Sequence, residues 1–127
     1  KDLKQIGVDV IDCSSGGILG AATAAKGSPP PLGFQVPFAT AVKEQADLMT
    51  QAVGLILTPE QAEAIVAQGR ADLIAIGREA LFNPNWPVHA AQALGADFDW
   101  ARWPKQYGWW LSRRAKVLES IAEKKLT

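Results

Sequence analysis

The sequence predicts an α/β fold of parallel strands joined by crossover helices, on three observations. Strand-length runs rich in β-branched and apolar residues recur at 8–13, 48–53 and 71–76. Helical patterns separate them, and glycine punctuates their ends. A strand, helix, strand, helix order at these spacings requires parallel pairing, because antiparallel partners need only a tight turn.

Composition narrows the function classes. The 127 residues carry 13 Lys+Arg against 13 Asp+Glu, so no net charge is available to attract a phosphate backbone. No basic stripe interleaved with aromatics is present, and nucleic acid is not an expected partner. No run approaches the ~20 apolar residues of a bilayer span, and the first residues lack the pattern of a secretory signal. A cytoplasmic protein with no membrane partner is expected. Cys13 is the single thiol and His89 the single imidazole, which leaves neither a disulfide framework nor a zinc-type ligand set.

Taken in order, residues 1–7 read as the last turn of a helix stopped at Gly7, and 8–13 as a strand that delivers the polar loop Ser14-Ser15-Gly16-Gly17. The Gly-, Ala- and Pro-rich stretch 18–37 fits neither period and is expected to be a long functional loop. A short amphipathic helix follows over 38–45, with Phe38, Ala41 and Val42 on one face. The second strand, 48–53, ends at Gly54. Thr58-Pro59-Glu60-Gln61 is a helix start: Thr58 as N-cap, Pro59 where a missing N–H costs nothing, and Gln61 placed to complete a capping box. Ala62, Ile65 and Val66 form its expected buried face, and Gly69 its stop. The third strand leads to Gly77-Arg78-Glu79, which opens another helix, and His89 falls in a helical stretch over 88–94. Residues 97–110 hold four of the five tryptophans and show no period; they fit a core cluster or an interface arm, and aromatic density in irregular backbone favours docking onto another surface. A final amphipathic helix is expected over 112–127.

The residues that point to chemistry are Gly54 and the Gly77-Arg78 pair. Each glycine closes a strand at its C-terminal end, where parallel α/β folds bind ligands. Glycine lets an anion approach the backbone, and arginine offers a bidentate fork, so consecutive strand ends carrying both describe a phosphate site. The bland alternative is two ordinary strand-end glycines with Arg78 ion-paired to Glu79, and the paired placement weighs against it. Ser14-Ser15-Gly16-Gly17 sits at the equivalent end of the first strand, where its hydroxyls and amides can line the same rim; the alternative is an ordinary Ser-Gly turn. Cys13 has no neighbouring base and reads as a small buried residue. Asp9 and Asp12 fall on opposite faces of a strand, so they form no acid/base pair, and Asp12 is expected to bond loop amides instead. No nucleophile, base and orienter set is present, so no catalytic residue is assigned to this chain.

Four segments in this order and spacing resemble the Old Yellow Enzyme family: Gly7-Val8-Asp9-Val10-Ile11-Asp12-Cys13-Ser14-Ser15-Gly16-Gly17; Gly33-Phe34-Gln35-Val36-Pro37-Phe38; Ala52-Val53-Gly54-Leu55-Ile56; and Arg70-Ala71-Asp72-Leu73-Ile74-Ala75-Ile76-Gly77-Arg78-Glu79. The resemblance is to the C-terminal part of its short bacterial branch of NADPH-dependent flavin oxidoreductases, which includes xenobiotic reductases. It implies the C-terminal portion of a (β/α)8 TIM barrel, strands six to eight with their helices. It also implies FMN as bound cofactor, with its phosphate held by Gly54, Gly77 and Arg78 and the flavin beside Ser14, and NADPH as reductant. The activity implied is ene reduction of α,β-unsaturated carbonyl compounds. The family's substrate-binding His pair and proton-donating Tyr would lie upstream.

The same resemblance makes 96–111 a C-terminal arm on a barrel portion spanning 1–111, with 112–127 as a terminal helix. Trp110 would reach a neighbouring subunit's active site, which implies a homo-oligomer. Thr50-Gln51 stands where the family often has Thr-Gly, and 21–31 lengthens the loop after the first strand. A full barrel needs about 250 residues, so 127 reads as about half of one and the remaining N-terminal half as a required partner. A non-catalytic assembly module and another phosphate-binding barrel are the alternatives.

Overall fold

The computed structural model of the chain describes residues 2–16 and 29–124. Gly17, the 18–28 part of the long loop, and the ends at Lys1 and 125–127 lie outside them. The chain forms two compact units, Lys1–Pro84 and Asn85–Thr127.

The first unit runs α1 (Asp2–Gln5), β1 (Val10–Cys13), α2 (Val36–Ala46), β2 (Met49–Ala52), α3 (Pro59–Ala67), β3 (Leu73–Ile74) and α4 (Arg78–Phe82). Among the described residues the strands form one parallel sheet in the order β1, β2, β3. Its register pairs Asp12 with Gln51 and Gln51 with Leu73. Parallel partners point to the same side, so Cys13, Thr50 and Ala52 face the helices and are buried with Val36, Ala39, Leu48, Ile56, Ala62, Ile65 and Ala71. The opposite face carries Met49 and Leu73, 52% and 48% exposed, and no described helix covers it. On that face Gln51 Nε2 donates to Asp12 Oδ1 at 3.0 Å, so Asp12 is held by the next strand rather than by loop amides.

Several local expectations are met with shifted limits. Gly7 adopts φ +89° after α1, as a helix-ending glycine does. The helix expected from Phe38 starts at Val36, because Pro37 falls in its first turn where proline is tolerated. Thr58 caps α3 by accepting from the Gln61 backbone N–H. Gly69 ends it in a Schellman arrangement: the Gly69 N–H donates to Val66 O and the Arg70 N–H to Ile65 O. Val66, expected in the buried face, is 41% exposed while Ala62 and Ile65 are buried. The third strand shrinks from 71–76 to two residues.

The second unit holds α5 (Trp86–Ala93) and α6 (Lys105–Lys124). The helix expected from Ser112 starts at Lys105 and takes in the end of the tryptophan-rich segment. That segment divides its roles. Trp103 is buried and its ring lies 5.2 Å from that of the exposed His89, so it belongs to this unit's core. Trp109 and Trp110 are exposed, packed edge to face on each other, with the Arg113 guanidinium 3.9 Å over the Trp109 ring. Gly108 lies against Trp100, where no Cβ fits.

Candidate functional site

A cleft of about 450 Å³ opens at the C-terminal ends of β2 and β3. That is within the size range of small-molecule pockets. Its wall after β2 is the turn from Val53 to Leu57, and its wall after β3 is the run from Ala75 to Glu79; Ser15, Phe34 and Gln35 close a third side. The first unit alone builds it.

The turn after β2 is held from below. Gly54 has φ +111° and Leu55 φ +52°, conformations that reverse the chain sharply. Gln61 fixes the result: its Oε1 accepts the Leu57 N–H at 3.0 Å and its Nε2 donates to Leu55 O at 3.0 Å. Gln61 Oε1 thus takes the Leu57 N–H and not the Thr58 N–H that a capping box would use, so the side chain expected to close that box clamps the cleft wall instead. The Gly33 N–H donates to the same Leu55 carbonyl at 3.2 Å.

Gly54 is glycine for a second reason. A Cβ there would lie 2.9 Å from Gln35 Nε2 and 3.0 Å from the Phe34 ring. Gln35 in turn accepts from Ser15, at 2.5 Å from its N–H and 2.9 Å from its hydroxyl, both on Oε1. Loops after β1 and β2 thus meet on one buried carboxamide.

Gly77 is different. Nothing lies within 4 Å of where its Cβ would point, so its close-approach surface is open. The first amides of α4 have no partner within that helix, since its bonds begin with the Ala80 and Leu81 N–H groups donating to Gly77 O. Arg78 is exposed on the cleft wall. An open glycine, free backbone donors and an unburied cation are the donor set a phosphate monoester needs, so the residues present fit the terminal group of FMN.

The structure brings Gly54, Gly77 and Arg78 together around this cleft. Ser14 is exposed and lies off its lining; the neighbouring Ser15 takes that place. Trp110 lies on α6 in the second unit, 66% exposed. Sequence reading missed Gln35 and Phe34; Gln35 reaches Ser15 across 20 residues of chain, which leaves no local spacing to read. Cys13 is buried, and burial, then the neighbouring Asp12 charge, push its thiol above the ordinary range. Both causes disfavour the thiolate, the form a nucleophile needs. Among the described residues no group of three or more His, Cys, Asp or Glu side chains could hold a metal, and no helix is long and apolar enough to cross a membrane.

Three parallel strands joined by crossover helices, with a cleft at their C-terminal ends, define an α/β protein of the barrel and doubly wound class. The chain belongs to the NADH:flavin oxidoreductase / NADH oxidase family, whose model matches residues 1–97, and so to the Old Yellow Enzyme group that its motifs resemble. It is 45% identical over 109 residues to an NADPH dehydrogenase of Halalkalibacterium halodurans, covering 84% of this chain and 29% of that one. An NADPH dehydrogenase of Geobacillus thermodenitrificans is 43% identical over 111 residues, covering 86% and 30%. One of Listeria monocytogenes is 44% identical over 109 residues, covering 84% and 29%. The chain spans about three-tenths of the length of the curated relatives it matches.

Proposed function

We propose that this chain is the C-terminal portion, strands six to eight, of an FMN-binding (β/α)8 barrel that acts as an NADPH-dependent ene-reductase, and that it supplies the FMN phosphate site. The observation that carries the proposal is the cleft itself: Gly54 and Gly77-Arg78 at the ends of adjacent parallel strands, in a member of a flavin oxidoreductase family. Barrel enzymes bind phosphate after their seventh and eighth strands, which fits β2 and β3 as that pair.

Bound FMN would carry a hydride from NADPH to the electron-poor carbon of an activated alkene, with a proton completing the reduction at its neighbour. This chain's contribution is binding and orientation. Arg78 and the amides around Gly77 grip the phosphate; Gln35 and Gln61 hold the Ser15 loop and the Gly54 turn that wall it; Ser14, at the end of β1, would lie nearer the flavin ring. The substrate site and the proton donor for the alkene would come from the remaining barrel segment, which this reading makes the chain's partner. The uncovered face with Met49 and Leu73 is the surface such a segment would cover. Trp110, exposed on α6, is the residue for a neighbouring subunit's active site in a homo-oligomer.

The test is complementation. The chain is mixed with the N-terminal part of the Geobacillus thermodenitrificans relative, and flavin uptake and enone-dependent NADPH oxidation are measured. Yellow complex with turnover supports the reading; a complex that forms without taking up flavin sinks it and leaves an assembly module.

A further inference from the structure

Gln35 is a buried polar side chain of the cleft whose oxygen holds the Ser15 loop and whose amide nitrogen the phosphate reading leaves unused. It is 6% exposed and precedes α2, far in sequence from the strand-end glycines. The orientation of its carboxamide follows from its contacts. A backbone N–H can only donate, so the atom 2.5 Å from the Ser15 nitrogen must be the oxygen. The Ser15 hydroxyl falls on that same oxygen. Nε2 is therefore forced to the other side, against Gly54, where a Cβ would come within 2.9 Å of it. Among the described residues no side chain or carbonyl accepts from it. Gln35 lines the cleft and its Nε2 is not among the fully buried polar atoms left without a partner, so the donor keeps access to the cleft and can meet an acceptor that enters it.

We propose that Gln35 Nε2 is a ligand-binding donor of this cleft, a neutral partner to the Arg78 cation that hydrogen-bonds the phosphate group of the bound mononucleotide. The proposal rests on the phosphate reading above. Ser15 acts as the positioning residue: two donors on Oε1 fix the carboxamide so that Nε2 pays no reorientation cost on binding. Gly54 is the gap through which the donor reaches the cleft, and any side chain there would displace it.

The experiment is a titration of FMN, and separately of riboflavin, into the full chain labelled with ¹⁵N. The Gln35 side-chain NH2 pair is assigned by its absence in Gln35→Glu. FMN is expected to shift that pair and the Arg78 backbone amide with one common Kd, and riboflavin, which lacks the phosphate, to shift neither. Gln35→Glu keeps an oxygen for both Ser15 bonds but sets a carboxylate where Nε2 stood. It should weaken FMN binding roughly ten- to a hundredfold, the range for a hydrogen bond to a charged group. An FMN-dependent shift at Arg78 with no movement of the Gln35 pair overturns this proposal and spares the phosphate reading. No shift at Arg78, together with FMN and riboflavin behaving alike, overturns both.

Discussion

Asp72 extends the β2–β3 ladder ahead of the first residue of β3 by bonding Thr50 twice. Its own N–H donates to Thr50 O at 2.9 Å, and its Oδ2 accepts the Thr50 N–H at 2.9 Å. Its other oxygen takes Lys43 Nζ of α2 at 2.7 Å, so one carboxylate ties the start of β3 to β2 and to the helix that precedes β2. This clamp lies at the N-terminal edge of the sheet, away from the strand ends that carry the cleft, and it serves stability.

A pH dependence follows. The Lys43 hydrogen bond, then the Thr50 N–H, hold the Asp72 carboxyl below its ordinary range in the folded state. Its stabilisation is therefore complete above the unfolded value of about 3.9 and is lost as the pH falls through the lower folded value. Denaturant unfolding should show Asp72→Ala costing about 1–3 kcal/mol at pH 7, because the Thr50 N–H loses its acceptor. Asp72→Asn keeps that acceptor and should cost less than about 1 kcal/mol, the worth of a partly exposed ion pair. At pH 3 the gap between wild type and Asp72→Asn should narrow.

Gly54→Ala should damage the cleft from within. Positive φ alone costs an L-residue about 1–2 kcal/mol, and the new methyl would also press on Gln35 and Phe34. Thermal melting should show the loss. Gln35→Ala in the same chain removes one of the two neighbours and should return part of it, giving a favourable coupling in a double-mutant cycle.

Gly108→Ala should destabilise α6 although alanine is the better helix former. The gain in propensity is at most about 1 kcal/mol, whereas the Cβ would sit 2.6 Å from the Trp100 carbonyl oxygen, an overpacking that costs about 1–3 kcal/mol. Circular dichroism melts of the full chain are the check.

The parts of this fold legible in the sequence were those set by short-range physics. Thr58-Pro59 and Gly69 bound α3 through caps that involve only near neighbours, and the β-branched runs around Val10 and Ile74 mark strands whose exact ends the ladder decides. Pro37 shows the limit: beside Pro29-Pro30-Pro31 it reads as loop, yet it begins a helix. Trp109 and Trp110 obscure the period of α6 because they pack on each other and on Arg113 instead of lying with an apolar stripe. In the cleft, Gly54, Gly77 and Arg78 were legible because a strand end is a local feature. Gln35 was not, since its bonds to Ser15 close a 20-residue stretch of the connection between β1 and α2 and leave no local spacing to read.

The central claim is that the strand ends of this chain hold the phosphate of FMN, and Arg78 bears on it most directly. In the complex reconstituted with the rest of the barrel, Arg78→Ala should weaken FMN binding roughly ten- to a hundredfold while riboflavin affinity stays as it was. Equal FMN affinity in the wild type and in Arg78→Ala would contradict the assignment of this cleft.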